Sequence, residues 1–404
     1  MKKYILLILI LIINFTFAQT NPAIHQLINK VNSDSLYEFL NILTGEKPIT
    51  LYAGSIRIDS RYSFNVSNGY AAEYIFRKLS GYGYKTFRQD FSQNGQNIYA
   101  YHYGTEKPNQ YVILCAHYDS MPSGNSAPGA DDNGSGTAAV IEAARILKDF
   151  YPEYTIIFAL WDQEEQGLLG SGYYAYQANE RDDPIIAVIN LDMIGYDSNN
   201  DGKMEIHTRD ISSSLSLANR IKELNSLYQI NLSADIINPG TDRSDHSSFW
   251  IYKYPAVLLI ESFSDFNPYY HKTSDTIEKI SKTFFHKNTM LALAAAGDYA
   301  KVAADSTTIS DLPFTYHLFQ NYPNPFNSST VIKYYVEKEA HVKLAVYDIL
   351  GNEVAVLVDR VQTPNFYDIS FDASKINGGL SSGIYFYTMY SGNYSSAKKM
   401  LYVK

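Results

Sequence analysis

An α/β domain with a mixed sheet between two layers of helices, followed by a small all-β sandwich, is the fold class this sequence predicts. Three observations carry it. Short β runs alternate with helical ones from Pro22 to about Ala303, helical spacing disappears after Ala304, and acidic residues and histidines gather where the β runs end.

The elements follow in order. Ala71, Ala72, Ile75, Phe76 and Leu79 recur at helical spacing within Ser67–Leu79. Two short β runs, Lys85–Phe87 and Asn97–Tyr101, precede the apolar strand Tyr111–Ala116. Ala138, Ala139, Ile141, Ala144, Ile146 and Leu147 mark a helix over Ser135–Phe150. Strands at Thr155–Trp161, Ile185–Asn190 and Ala256–Ile260 then interleave with helices near Ser212–Leu227 and Lys282–Ala303. Strands alternating with helices predict a sheet covered on both faces, with a site at the strands' C-terminal ends. Its pocket walls are expected on the loops Asp197–Lys203 and Ile236–Arg243.

After a polar linker, the chain from Tyr316 onward is β-like. Val342–Tyr347, Val354–Val358, Tyr367–Phe371 and Gly383–Tyr390 alternate or run apolar between Gly, Asn and Ser turns. Such a pattern predicts a separate antiparallel, immunoglobulin-like sandwich of roughly ninety residues.

Composition narrows the function classes. Of the 404 residues, 46% are hydrophobic and 14% aromatic, enough for full cores. A net charge of −9 without a basic stripe argues against nucleic acid, whose phosphates need cationic partners. Lys2 and Lys3, the apolar run Ile5–Phe17 and the small residues around Ala18 read as a signal peptide over residues 1–18. The run is too short for a stable transmembrane anchor, and no later segment is apolar for long enough. The single cysteine, Cys115, excludes an internal disulfide framework; within Tyr111–Cys115 it reads as a buried structural thiol.

Five segments end or turn on groups able to hold a metal: His117-Tyr118-Asp119, Asp131-Asp132, Glu164-Glu165, Asn190-Leu191-Asp192 and Tyr270-His271. No Ser or Cys nucleophile constellation competes with them. Each has an ordinary alternative. His117 is a hydrogen-bonded structural histidine or a ligand whose other ring nitrogen Asp119 fixes. One of Asp131 and Asp132 is a helix N-cap, leaving the other free to face a site. Glu164 and Glu165 are solvated loop charges, or, behind a buried strand, a ligand and a base around a cation. Asp192 ends an apolar run, where a carboxylate is costly unless paired. Together, nitrogen and carboxylate donors at successive strand ends suit zinc.

In those segments, and in Pro128-Gly129-Ala130-Asp131-Asp132-Asn133-Gly134-Ser135-Gly136 and Glu164–Ser171, the region from about Asn21 to Ala303 resembles the co-catalytic dizinc aminopeptidases. Their superfamily includes bacterial leucyl aminopeptidase, glutamate carboxypeptidase and glutaminyl cyclase, and the resemblance implies their zinc-exopeptidase fold for residues 19–304. It further implies that Asp132 bridges two Zn2+ ions, with His117 and Asp192 on one and Glu165 and His271 on the other. Glu164 would be the general base acting on a metal-bridging hydroxide, Asp119 the support of His117, and Tyr270 a partner of the scissile carbonyl. Ser244-Asp245-His246 matches a further family segment and is expected to support the site, not to ligate. The implied activity is hydrolysis of N-terminal residues from peptides with a free N-terminus. A one-zinc glutaminyl cyclase, a carboxypeptidase or dipeptidase, and a non-catalytic surface adhesin are the rival readings.

Gln320-Asn321-Tyr322-Pro323-Asn324-Pro325-Phe326-Asn327, Val346-Tyr347-Asp348-Ile349-Leu350-Gly351, Gly383-Ile384-Tyr385-Phe386-Tyr387 and Lys398-Lys399-Met400 resemble the sorting domain of type IX secretion. The resemblance spans residues 316–404, with 305–315 as linker. It implies recognition by the type IX machinery, and a secreted or cell-surface enzyme that passes the periplasm and then the outer membrane.

Overall fold

The computed structural model describes residues 20–51, 54–303, 316–321, 324–363, 365–376 and 379–404. The expected signal peptide and linker lie outside them. The chain forms two compact units, Met1–Asp305 and Ser306–Lys404.

In the first unit, α1 (Pro22–Asn29) and α2 (Ser33–Leu43) precede the hairpin β1 (Ile49–Leu51) and β2 (Gly54–Ile56). Then come α3 (Val66–Gly81), β3 (Lys85–Asp90), β4 (Gln96–His102), β5 (Lys107–His117), α4 (Gly136–Leu147), β6 (Tyr154–Trp161), α5 (Leu169–Glu180) and β7 (Ile185–Leu191). The unit closes with β8 (Lys203–His207), α6 (Ser214–Leu227), β9 (Ser233–Ile237), α7 (His246–Ile251), β10 (Ala256–Glu261) and α8 (Lys282–Tyr299). Eight strands form one sheet in the order β3-β4-β6-β5-β7-β10-β8-β9. The central run β6-β5-β7-β10 is parallel, while β3, β4 and β8 join antiparallel to their inner neighbours.

The period-2 rule of strands explains the layers. Val112, Leu114 and Ala116 of β5, Ile156, Phe158 and Leu160 of β6, and Ile189 and Leu191 of β7 share one core with α1, α2, α3, α4, α6 and α8. Ile113, Cys115, Ile157, Ala159, Trp161 and Val188 face the opposite way, onto Tyr174, Ala175 and Ala178 of α5 and Phe249 and Trp250 of α7. Helices therefore cover both faces, and Cys115 is a fully buried member of the second layer. Burying each large side chain in these layers contributes about 1.5–3 kcal/mol.

Several elements differ from the sequence reading. Helix α5 buries Gly170, Ser171, Tyr174, Ala175 and Ala178, and with Tyr174 as the one large side chain among them the apolar stripe is weak. Strands β8 and β9 fall partly in stretches expected as loops, and α7, six residues long, is too short to show periodicity. Neither Asp131 nor Asp132 caps α4; residues Ala130–Ser135 form a wide turn with non-helical backbone at Asp132 and Asn133, and α4 starts at Gly136.

The named strands of the second unit all pair antiparallel. Strands β11 (His317–Leu318), β12 (Ser329–Val336) and β15 (Asn365–Asp372) form a three-stranded sheet in the order β11-β12-β15. Strands β13 (Ala340–Tyr347), β14 (Glu353–Gln362), β16 (Gly383–Ser391) and β17 (Tyr394–Tyr402) form a four-stranded one ordered β14-β13-β16-β17. Ile332, Tyr334 and Val336 from the first pack with Leu344, Val346, Tyr387 and Met389 from the second, the two-layer core of a sandwich. No helix among the described residues is long and apolar enough to cross a membrane.

Candidate metal centre

The parallel strands β5, β6, β7 and β10 deliver their loops to one edge of the sheet. His117 is the last residue of β5, Glu164 and Glu165 follow β6, Asp192 follows β7, and His271 lies ten residues beyond β10. Gln163, Met193 and His271 have positive φ (59°, 50° and 57°), so the chain turns sharply beside or at a donor. Each such residue costs about 1–3 kcal/mol, which the surrounding structure has to offset.

Asp132 lies at the centre. Its Oδ1 is 3.4 Å from His117 Nε2 and its Oδ2 is 3.2 Å from His271 Nε2, so each oxygen addresses a different histidine. On one side His117 Nε2 also lies 3.4 Å from Asp192 Oδ1 and 4.0 Å from Glu164 Oε2. On the other, His271 Nε2 is 2.7 Å from Glu165 Oε2. His117, Glu164 and Asp192 form one cluster with donor atoms mutually within 4.8 Å; Asp132, Glu165 and His271 form a second. Asp132 Oδ2, Glu165 Oε1, Asp192 Oδ1 and His271 Nε2 are buried without a hydrogen-bond partner. Lone pairs so converged are costly unless a proton or a metal cation joins them. The donor set of imidazole and carboxylate fits zinc.

The support is equally specific. His117 Nδ1 lies 3.2 Å from the Asp119 carbonyl and 3.3 Å from Asp119 Oδ1; a proton held there turns the Nε2 lone pair toward Asp132 and Asp192. Asp119 also accepts the N–H groups of Glu164 and Glu165, each at 3.2 Å, tying the loop after β6 to that after β5. Ser244 Oγ donates to Asp192 Oδ2 at 2.7 Å and itself accepts from Asn190 Nδ2 at 2.7 Å. Asp162, two residues before Glu164, turns aside to accept from Asn68 and from the Gln96 N–H.

Electrostatics record a surplus of acid. Burial alone would raise Asp132, yet its contacts with His117 and His271 hold it well below the usual carboxylate range. Burial, then the charge of Asp132, pushes Glu165 up to about 8. Burial, then Asp245, Asp192 and Glu165 against an opposing His117, raises Glu164 well above its usual value. Burial works against protonation of His271, but Asp132 and Glu165 raise it to about 10.

Asn267 opens the segment Asn267–His271 that carries part of the family resemblance, but neither it nor Asp275 had a role assigned from the sequence. Asp275 accepts the N–H groups of Asp131 (3.1 Å) and Asp132 (3.0 Å), while Asp131 accepts from Gly195 N–H at 2.8 Å and from Asn267 Nδ2 at 3.1 Å. Both stand in polar loop sequence, where an Asp or Asn needs no special reason. Tyr270, 40% exposed, stacks on His271 with ring centroids 3.7 Å apart.

His246 points away from both clusters. Its Nε2 lies 3.0 Å from the Thr241 carbonyl, and its ring meets Trp250 edge-on at 4.4 Å. Burial pushes it from 6.5 down to about 3. The unfolded chain thus takes up this proton first, so the contribution is full above about pH 6.5 and is lost as pH falls toward 3. In urea titrations, His246→Gln is expected to flatten the acid-side stability slope by up to about 1.4 kcal/mol per pH unit. Parallel slopes for the two proteins would contradict this.

An α/β sheet that presents histidine and carboxylate donors at the ends of its parallel strands is the frame of a metallohydrolase. Residues 97–296 match Peptidase family M28, and residues 320–404 match the secretion system C-terminal sorting domain. The M28 match spans just under half of the chain and lies within its first unit, and the sorting-domain match lies within its second. The chain is 32% identical to aminopeptidase YwaD of Bacillus subtilis over 231 residues, 54% of this chain and 48% of that protein. It is 28% identical to the uncharacterized protein YfbL of Escherichia coli over 255 residues, 55% of this chain and 78% of that one. The LapA aminopeptidase of Legionella pneumophila superposes with a TM-score of 0.60 at 26% identity, over 69% of this chain and 75% of LapA. The chain thus spans about half the length of YwaD. Its enzyme class is that of an aminopeptidase-like metallopeptidase.

Proposed function

We propose that this chain is an exported, two-zinc aminopeptidase that removes N-terminal residues from peptides. The observation that carries this reading is Asp132, whose two oxygens address His117 and His271 separately. A carboxylate so placed suits a pair of ions, whereas a one-zinc cyclase needs only one of the two clusters. His117 and Asp192 would hold one ion, Glu165 and His271 the other, and Asp132 both.

Bound zinc would supply Lewis acidity and a nucleophile competent at neutral pH. Glu164, within 4.0 Å of His117 Nε2, is the group placed to take a proton from the attacking water and return it to the leaving amine. Asp119 keeps the His117 ring oriented and aligns the Glu164 and Glu165 backbone. Tyr270 is assigned to the substrate carbonyl, where its hydroxyl would donate to developing negative charge. Tyr270→Phe is expected to lower kcat about tenfold with KM little changed; an unchanged kcat would remove Tyr270 from the mechanism.

The C-terminal sandwich is read as the address for type IX secretion, and residues 1–18 as the signal for the first membrane crossing. The deciding experiment measures zinc per chain alongside hydrolysis of aminoacyl anilides, N-blocked peptides and peptides ending in glutamate, with and without chelator. Two zinc ions with chelator-sensitive cleavage of free N-termini is the expected result. One zinc with cyclisation of N-terminal glutamine would replace the reading by a glutaminyl cyclase. A zinc-loaded protein inert on every substrate would favour an adhesin that kept the fold.

A further inference from the structure

Arg61 is fully buried, and every hydrogen bond of its guanidinium among the described residues goes to a main-chain carbonyl. Nε donates to Tyr118 at 2.7 Å, Nη1 to Pro128 and to Leu43 at 2.6 Å each, and Nη2 to Gly129 at 2.8 Å. Its own backbone adds two bonds to Ser120: Arg61 N–H donates to Ser120 Oγ, and the Arg61 carbonyl accepts from Ser120 N–H, both at 3.2 Å.

These partners are not scattered. Tyr118 sits between His117 and Asp119, and Pro128-Gly129 lead directly into Ala130-Asp131-Asp132. Leu43, the last residue of α2, anchors the guanidinium to the helical layer. Gly129 has φ +47°, and a Cβ there would come within 2.3 Å of the Asp132 carbonyl and 3.0 Å of Arg61 Nη2, so the backbone can approach only without a side chain. The arginine therefore touches no donor group, yet it holds the main chain beside two of them, His117 and Asp132, which face each other across 3.4 Å. Its charge also lies within the field of Asp275, Asp132, Asp119 and Glu165.

We infer that Arg61 is a positioning residue for the paired metal site, setting the separation of the His117 loop and the Asp132 turn through their carbonyls. The inference rests on the two-zinc reading above. It follows from the shape of the group: a planar fork reaches four carbonyls in fixed directions, whereas a lysine ammonium on its flexible stem does not.

The test compares the full-length wild type with Arg61→Lys and Arg61→Met. Zinc affinity is read by chelator competition, site geometry by the absorption spectrum of the cobalt-substituted protein, and folding by thermal melts with and without zinc. Both variants are expected to melt cooperatively, to bind zinc about 10–100-fold more weakly, and to show an altered cobalt spectrum. The kcat falls while KM stays close to wild type. Wild-type zinc affinity and cobalt spectrum in either folded variant would overturn the inference. So would failure of both variants to fold even at saturating zinc, since Arg61 would then serve the domain as a whole. A wild type that binds no zinc would instead bring down the two-zinc reading itself.

Discussion

Glu164→Gln is expected to lower kcat by about 10²–10⁴-fold while zinc content stays at the wild-type level. The amide keeps the size and one acceptor oxygen of the carboxylate but cannot take up a proton. Glu164 lies within 4.0 Å of His117 Nε2 and clusters with His117 and Asp192, so a purely ligating Glu164 is the competing assignment. The two assignments separate cleanly. A base lost without metal loss leaves both ions bound and KM nearly unchanged, whereas a ligand lost releases zinc in proportion to the lost activity. Kinetics and metal analysis on the same sample decide, and full activity in the variant would remove Glu164 from catalysis.

The second large effect is expected at Asp132. Asp132→Asn takes one anionic oxygen from between His117 and His271 and leaves an amide nitrogen that cannot ligate. Activity should fall at least about 10³-fold, roughly 4 kcal/mol of lost transition-state stabilisation. Bound zinc should drop from two ions per chain to one or fewer. The thermal shift produced by added zinc should shrink with it, because stabilisation by a ligand follows its affinity for the folded state. A variant that keeps two ions would show that Asp132 does not bridge.

Much of this centre was legible in the sequence because its donors end apolar strands. A pair of carboxylates three and four residues after Ile156–Trp161, or one directly after Ile185–Leu191, has no cheap explanation, and the spacing of His117 and Asp119 puts both on one side at the end of β5. The supports were less legible. Asp275 and Asn267 occur in polar loop sequence, and their importance arises only when folding buries them against Asp131 and Asp132. Arg61 is quieter still, since an arginine in a loop is ordinarily solvated and nothing local marks it for burial. The fold divides similarly. Strands β5, β6, β7 and β10 are buried on both faces and read as apolar runs. Helix α5, which packs on the sheet through small residues around the single large side chain of Tyr174, and the short strands β8 and β9 offer too little contrast to be read from pattern. Helix α2 is the exception: Leu36, Phe39, Leu40 and Leu43 have helical spacing, yet the stretch carried no assignment.

The backbone amides of Asp131 and Asp132 are held by Asp275, 144 and 143 residues further along the chain. His117 and Asp132 are made early, but the groups that close and brace their site come from the far end of the domain. Closure of so long a loop must precede any of these contacts, placing site assembly late in folding. A chain interrupted before Asp275 would hold most of the donors without the brace that sets the Asp132 turn. Bracing of the Asp132 turn is thereby tied to completion of the domain, and a chain that stops short of Asp275 lacks it by topology.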